Sequence, residues 1–273
     1  MREKLMTYKT WFMLGGAMAL VFLSLTELEA KVVTKTVEYR QDGTVMQGFL
    51  AYDDGLKGKR PGVLVVHEWW GRNDFAREKA QQLAGLGYVA LAADMYGGGL
   101  TTKDPKEAAR LAALRDNPAL LRARTQAALK VLAADPRVDP KRLAAIGFCF
   151  GGTTVLELAY SGADLAGVVS FHGGLPRPQP GDLTRLKAKI LVLHGADDPH
   201  VSAADLAAFE QAMRQAGADW QMVFFGGAVH GFTNAAAGDN KASGVAYDAR
   251  AARRSWRCMR EFFQEILTVK GTD

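Results

Sequence analysis

Residues 144–154 read AAIGFCFGGTT and place a thiol, Cys149, between Gly147 and Gly151. The apolar run before it has strand character and Gly151 to Tyr160 has helical character, so Cys149 falls at a strand-to-helix turn. Three readings compete for such a cysteine: buried packing, half of a disulfide with Cys258, or a nucleophile. A disulfide needs the two Cα atoms within about 7 Å and would consume the reactive sulfur. The nucleophile reading explains the glycines. A residue at the apex of so sharp a turn is held in a strained conformation, and small residues two positions to either side let strand and helix approach. The same turn puts the sulfur at a helix N-terminus, where the dipole favours a thiolate, and leaves the Phe150 N–H free to donate to an oxyanion. Such a thiol needs a base, and the base needs an orienting acid. His230, in GAVHGF, is the candidate base, and GADDP supplies the acid as Asp198, with Asp197 as the alternative.

The elements that must hold these groups are legible in the hydrophobic pattern. KVVTKTVEY and VMQGFLAY read as strands around a turn at Asp42-Gly43, an opening hairpin. GVLVVH, YVALAAD, RLAAIGF, LAGVVSFHG, AKILVLHG and WQMVFF then read as strands. They alternate with helices over residues 73–86, 105–134 (broken at Asn117-Pro118), 151–160, 203–216 and 247–269. Such alternation implies a mostly parallel sheet with helices on both faces, an α/β class, with ligands beyond the carboxyl ends of the strands. The groups standing there are HEWWG, DMYGGG, Cys149, FHGG, HGADDPHV and GAVHGF. Trp69-Trp70 suggests aromatic pocket walls, and Gly97 to Gly99 a mobile rim.

Among 273 residues, 48% are hydrophobic and 23% charged, the balance of a chain with a sizeable core, and nothing resembling a linker divides it. The net charge of +5 is spread out. Its densest cluster, Arg250, Arg253, Arg254 and Arg257, fits the solvated side of an amphipathic helix whose other face carries Ala252, Trp256, Met259, Phe263 and Ile266, so no nucleic-acid partner is expected. Five histidines form no short-spaced ligand pair, and neither a metal nor a cofactor is expected. A basic start, MREKLMTYK, precedes an uncharged stretch from Trp11 to Leu25. Residues 1–30 therefore read as a secretory signal cleaved after Ala30, with an uncleaved inner-membrane anchor as the alternative, leaving residues 31–273 as one domain in the periplasm or secreted. No stable membrane association is expected once the signal is gone, and the chain is expected to be monomeric.

The motifs VVHEWWGRND, ALAADMYG, IGFCFGG, SFHGG, HGADDPHV and VHGFTN, spread from about Val37 to Leu267, resemble the dienelactone hydrolase family of α/β-hydrolases. The order cysteine, aspartate, histidine is that fold's, and the spacing of Gly195, Asp198 and Val201 at the acid corner favours Asp198. The resemblance implies a Cys149-His230-Asp198 triad, a Glu68 carboxylate that restrains the thiol until substrate arrives, and the Trp69 N–H as second oxyanion donor beside Phe150. It implies hydrolysis of a small-molecule ester or lactone through a thioester, as in carboxymethylenebutenolidase, with enol and aryl esters favoured by their good leaving groups. One departure stands out. The family's two carboxylate-holding arginines have no counterpart, Gly98 and Asn234 lying near their places, and Arg72 or His172 is the candidate replacement for binding an anion. Two other classes compete: a non-catalytic periplasmic binding protein on a hydrolase fold, and a thiol redox enzyme, the latter disfavoured because there is no CxxC.

Overall fold

The chain enters its sheet through a hairpin. Strand β1 (Val32–Gln41) pairs antiparallel with β2 (Thr44–Asp53) around Asp42 and Gly43, whose φ angles of 47° and 77° are the pair of left-handed residues that a type I′ turn requires. This computed structural model describes residues 31–268, so the segment read as an export signal lies outside the described residues. After the hairpin, strands alternate with helices: β3 (Arg60–Val66), α1 (Asp74–Gly85), β4 (Val89–Ala92), α2 (Pro105–Ala112), α3 (Pro118–Ala133), β5 (Val138–Phe148), α4 (Phe150–Tyr160), β6 (Gly167–Phe171), β7 (Lys189–Gly195), α5 (Ala203–Ala216), β8 (Trp220–Phe225) and α6 (Ala249–Leu267).

The sheet order is β1-β2-β4-β3-β5-β6-β7-β8. Strand β2 joins β4 antiparallel, and every pairing from β4 through β8 is parallel. The expected α/β class with an opening hairpin is therefore what the structure has. Continuous apolar runs occupy the centre because helices cover both faces; all five residues of β6 are buried. Helices α3, α4 and α5 pack on one face through Leu121, Leu129, Val155, Leu158 and Phe209, and α1 and α6 on the other through Ala80, Leu83, Met259 and Phe263.

Local chemistry sets the boundaries. Asn73 caps α1 and Asn117 caps α3, each accepting a backbone N–H with its side chain, and Ser202 and Asp205 form a reciprocal capping box on α5. The break expected at Asn117-Pro118 is real, with a short 3₁₀ turn at Ala113–Asp116 separating α2 from α3. Helix α4 is apolar nearly all round and is correspondingly buried except at Thr153. Strand β5 starts at Val138, earlier than RLAAIGF suggested, because a register irregularity beside Pro61 and Gly62 lets β3 pair with the polar residues before it. The four arginines of α6 are exposed as expected, but its buried stripe is Ala251, Ser255, Met259, Phe263 and Leu267. The small side chains of Ala251 and Ser255 face the sheet and turn Ala252, Trp256 and Ile266 to the flank, where they are half-buried. Among the described residues no helix is long and apolar enough to cross a membrane.

Candidate active site

Strand β5 runs directly into α4 through Cys149, whose φ of 54° and ψ of −113° lie outside the regions that side-chain-bearing residues favour. Holding such a conformation costs on the order of 1–3 kcal/mol, and the surroundings must impose it. The two flanking glycines make the turn possible. A Cβ on Gly147 would run into the Gly151 carbonyl, and a Cβ on Gly151 would run into the backbone of Val66, the last residue of β3, and of His67 just after it. The Cys149 N–H is tied to the Phe171 carbonyl of β6 at 3.0 Å, and its own carbonyl accepts from Gly152 at 2.9 Å, so the apex is held from strand and helix alike. Phe150 opens α4, where no preceding helical carbonyl reaches its N–H.

The loop after β7 carries the acid. Asp198 is buried and accepts the His230 imidazole through Oδ2 and Nδ1 at 2.9 Å, while its Oδ1 accepts the His200 N–H at 2.9 Å. Asp197 points to solvent and its N–H is spent on the Ala228 carbonyl, so of the two adjacent aspartates the structure brings Asp198 to the histidine. The His230 backbone is clamped in both directions, its N–H on Gly244 and its carbonyl on Ala246. Burial opposes a charge on this imidazole, but Asp198 and the neighbouring Cys149 sulfur more than offset it and push the His230 pKa up to about 10. For Asp198 burial acts against ionisation as well, and the bond to His230 nonetheless holds the carboxyl below its ordinary range.

Cys149, Phe150, Trp69, Glu68 and His230 all line one cavity of about 930 Å³ beyond the strand ends, walled by the paired indoles of Trp69 and Trp70, 4.7 Å apart, and by Leu175, Pro176 and Val201. Both cysteines are free thiols, which removes the disulfide reading. Tyr96 reaches across to donate its hydroxyl to the Trp69 carbonyl at 3.0 Å and fixes the turn that carries the second candidate oxyanion donor.

Three expectations are corrected. Glu68, expected against the thiol, gives its Oε2 instead to the Asn234 amide at 2.6 Å; burial raises its carboxyl to about 7, with the Asn234 bond and the His230 charge only partly opposing that rise. Arg72 does not line the cavity. It is buried against the Gly99 loop beside Asp94 and Tyr39, so it is no anion ligand there. His172 is fully buried behind His230, with ring centroids 5.3 Å apart, and its Nε2 bonds the Thr233 hydroxyl at 2.7 Å. Burial and the His230 charge hold its pKa well below the ordinary histidine value, and a neutral, enclosed ring does not bind a substrate anion.

The glycine run is likewise no loose rim. The Asp94 carboxylate accepts the N–H groups of Tyr96, Gly97, Gly99 and Gln47, and Gly98 donates to Val45, so the loop is fastened to the hairpin. Sequence reasoning passed over the cations that do line the cavity, Lys103 and Arg115, and the exposed His200, whose ring lies 4.9 Å from that of His230. Only the tertiary fold brings the 102–115 segment over the strand ends. Asn234 had a signal, as the residue where an arginine was expected, but nothing in its neighbourhood announced Glu68 as its partner. Among the described residues no group of three or more His, Cys, Asp or Glu side chains is gathered as a metal site.

The dienelactone hydrolase family model matches residues 46–267, all the parallel strands and the whole site. The chain belongs to the dienelactone hydrolase family. It is accordingly an α/β-hydrolase in fold and an ester or lactone hydrolase in class. Among solved structures, a dienelactone hydrolase-like promiscuous phosphotriesterase, P91, from metagenomic libraries, is 43% identical with a TM-score of 0.84, covering 87% of this chain and 99% of that one. The structure named m3DLH is 44% identical over the same shares, also with a TM-score of 0.84. A relative from Synechocystis named as a carboxymethylenebutenolidase is 29% identical over 253 residues, spanning 86% of this chain and 98% of its own.

Proposed function

We propose that this dienelactone hydrolase family member cleaves a small carboxylic ester or lactone through a thioester on Cys149. What supports the reading is one juxtaposition: a strained thiol at the start of α4 whose polar neighbour is an imidazole anchored to a buried carboxylate, the thiol and imidazole opening into an aromatic-walled cavity. His230 takes the thiol proton, and Asp198 fixes its tautomer with Nδ1–H toward the carboxylate and stabilises the imidazolium. The sulfur attacks the carbonyl, and the Phe150 and Trp69 N–H groups stabilise the oxyanion. His230 then gives its proton to the departing alkoxide and later takes one from water, which releases the acid and restores the thiol. Because the thiolate is itself a good leaving group, forward collapse favours aryl and enol esters over simple alkyl esters. No cofactor enters this scheme.

A second reading has its own support. Likeness to a promiscuous phosphotriesterase at 43% identity supports phosphotriesters as a second substrate class for the same thiol, with the oxyanion donors facing the phosphoryl oxygen. A panel of aryl carboxylates, enol lactones and aryl phosphotriesters, followed by turnover and intact protein mass, separates the two. Cys149→Ala is expected to lose about a thousandfold or more of the activity and the transient acyl mass. Full activity in that variant refutes the thioester. We also propose that residues 1–30 direct export and are removed after Ala30; the intact mass of protein recovered from the periplasm or medium tests this, and an unprocessed chain in the cytoplasm refutes it.

A further inference from the structure

A second cavity, of about 620 Å³, lies on the other side of Asn234 from the thiol, between α1 and α6. It shares only Asn234 and Ala236 with the lining of the catalytic cavity. Its walls are aromatic, with Phe75 from α1, Trp256 from α6 and Tyr247 from the segment before α6. Between the first two sits the Lys79 ammonium, 5.1 Å from the Phe75 ring centroid and 5.3 Å from that of Trp256. Lys79 is half-buried, and its hydrogen bond runs to the Gln82 side-chain oxygen at 3.2 Å. Among the described residues no carboxylate lies within ion-pair distance of Lys79 or of Arg253, the second cation lining this space. The acids at the rim are engaged elsewhere, Asp74 with Arg77 at 3.4 Å and Glu78 with the Gln82 amide at 2.8 Å.

We propose that this groove is a second, non-catalytic ligand site for a small aromatic monocarboxylate. The ring lies against Trp256 and Phe75, and the carboxylate meets Lys79 and Arg253. A planar ring suits walls set by aromatic side chains, and a single negative charge suits two cations that form no salt bridge among the described residues. The nearby carboxylates of Asp74 and Glu78 disfavour anions of higher charge such as phosphate. The floor of the groove links it to the catalytic side. Asn234 holds Glu68, and Thr233 holds His172 behind His230. The Lys79 charge also favours ionisation of Glu68, so a carboxylate bound to Lys79 weakens that support and shifts Glu68 toward its protonated form. The site does not depend on the thioester reading, since none of its ligand-facing groups takes part in it.

Calorimetric titration of benzoate into the full protein, with Cys149 carboxamidomethylated to cap the reactive thiol, tests the proposal, the Lys79 variants assigning the binding to this groove rather than to the catalytic cavity. Benzoate is expected to bind, benzamide and acetate at least about tenfold more weakly, and Lys79→Met to weaken benzoate by about tenfold or more, the loss typical of a hydrogen bond to a charged group. Lys79→Arg keeps the charge and is expected to keep binding within about threefold, which guards against a folding defect in the methionine variant. Absence of benzoate binding, equal affinity for benzamide, or an unchanged affinity in the well-folded methionine variant overturns the site.

Discussion

Replacing Glu68 by Gln should make this protein more stable above neutral pH and alter the shape of its stability curve. The Glu68 carboxyl is only 5% exposed, and burial lifts its pKa from an ordinary 4.5 to about 7. Its one hydrogen-bond donor is the neutral Asn234 amide. The folded state thus binds this proton more tightly than the unfolded chain does. Below pH 4.5 both states are protonated and Glu68 makes no pH-dependent demand. As pH rises from 4.5 through 7 the unfolded chain releases the proton first, and stability falls; above 7 the loss is complete. The gap between 4.5 and about 7, at about 1.36 kcal/mol per pH unit, sets the loss at about 3 kcal/mol. Glutamine fills the same space without titrating, and its amide oxygen still accepts from Asn234. Urea unfolding of wild type and Glu68→Gln at pH 4.5, 6, 7 and 8 should therefore give curves that converge at the acid end and separate by about 3 kcal/mol at pH 8, the variant being the more stable. Parallel curves, with a difference independent of pH, would refute the buried, weakly compensated carboxylate inferred here.

Other consequences are as direct. Asp198→Asn should lower kcat on an aryl ester by about a thousandfold or more, whereas Asp197→Asn should stay within about twofold, because only Asp198 holds the imidazole. The same Asp198→Asn change should bring the His230 titration, followed by its ring proton resonances, down from about 10, since the pair of acid and sulfur that offsets burial is broken. Gly151→Ala should destabilise by about 2–3 kcal/mol or prevent folding, read by urea midpoint, since the added methyl meets the Val66 backbone rather than a movable side chain. Asn117→Ala should cost about 1 kcal/mol by removing the acceptor that caps α3.

Local chemistry is what made the elbow readable. A cysteine flanked by glycines two positions away, between an apolar run and a helical stretch, can be satisfied in few ways, and each glycine is needed for a backbone contact that any Cβ would block. Chain order did the rest. Alternating strands and helices fix which chain segments end on the same edge of a parallel sheet, so Cys149, the GADDP loop and His230 had to share it. The turn at Asp42-Gly43, the break at Asn117-Pro118 and the solvated arginines of α6 were legible for the same reason, because each is decided by neighbours in sequence.

What sequence order could not decide depends on direction and depth. The spacing of Gly195, Asp198 and Val201 favoured Asp198, and the path of the loop after β7 turns Asp198 to His230 and Asp197 to solvent. Arg72 and His172 have the right chemistry for an anion, yet both are buried outside the lining of the cavity, beyond a substrate's reach. Glu68 and Asn234 lie 166 residues apart and are joined at 2.6 Å because the loops after β3 and β8 cross above the sheet. The residues and their order thus determined that a thiol, an imidazole and an acid would meet; the tertiary packing alone decided which neighbours stay charged and which side chains face the substrate, because burial and long-range contact set those states.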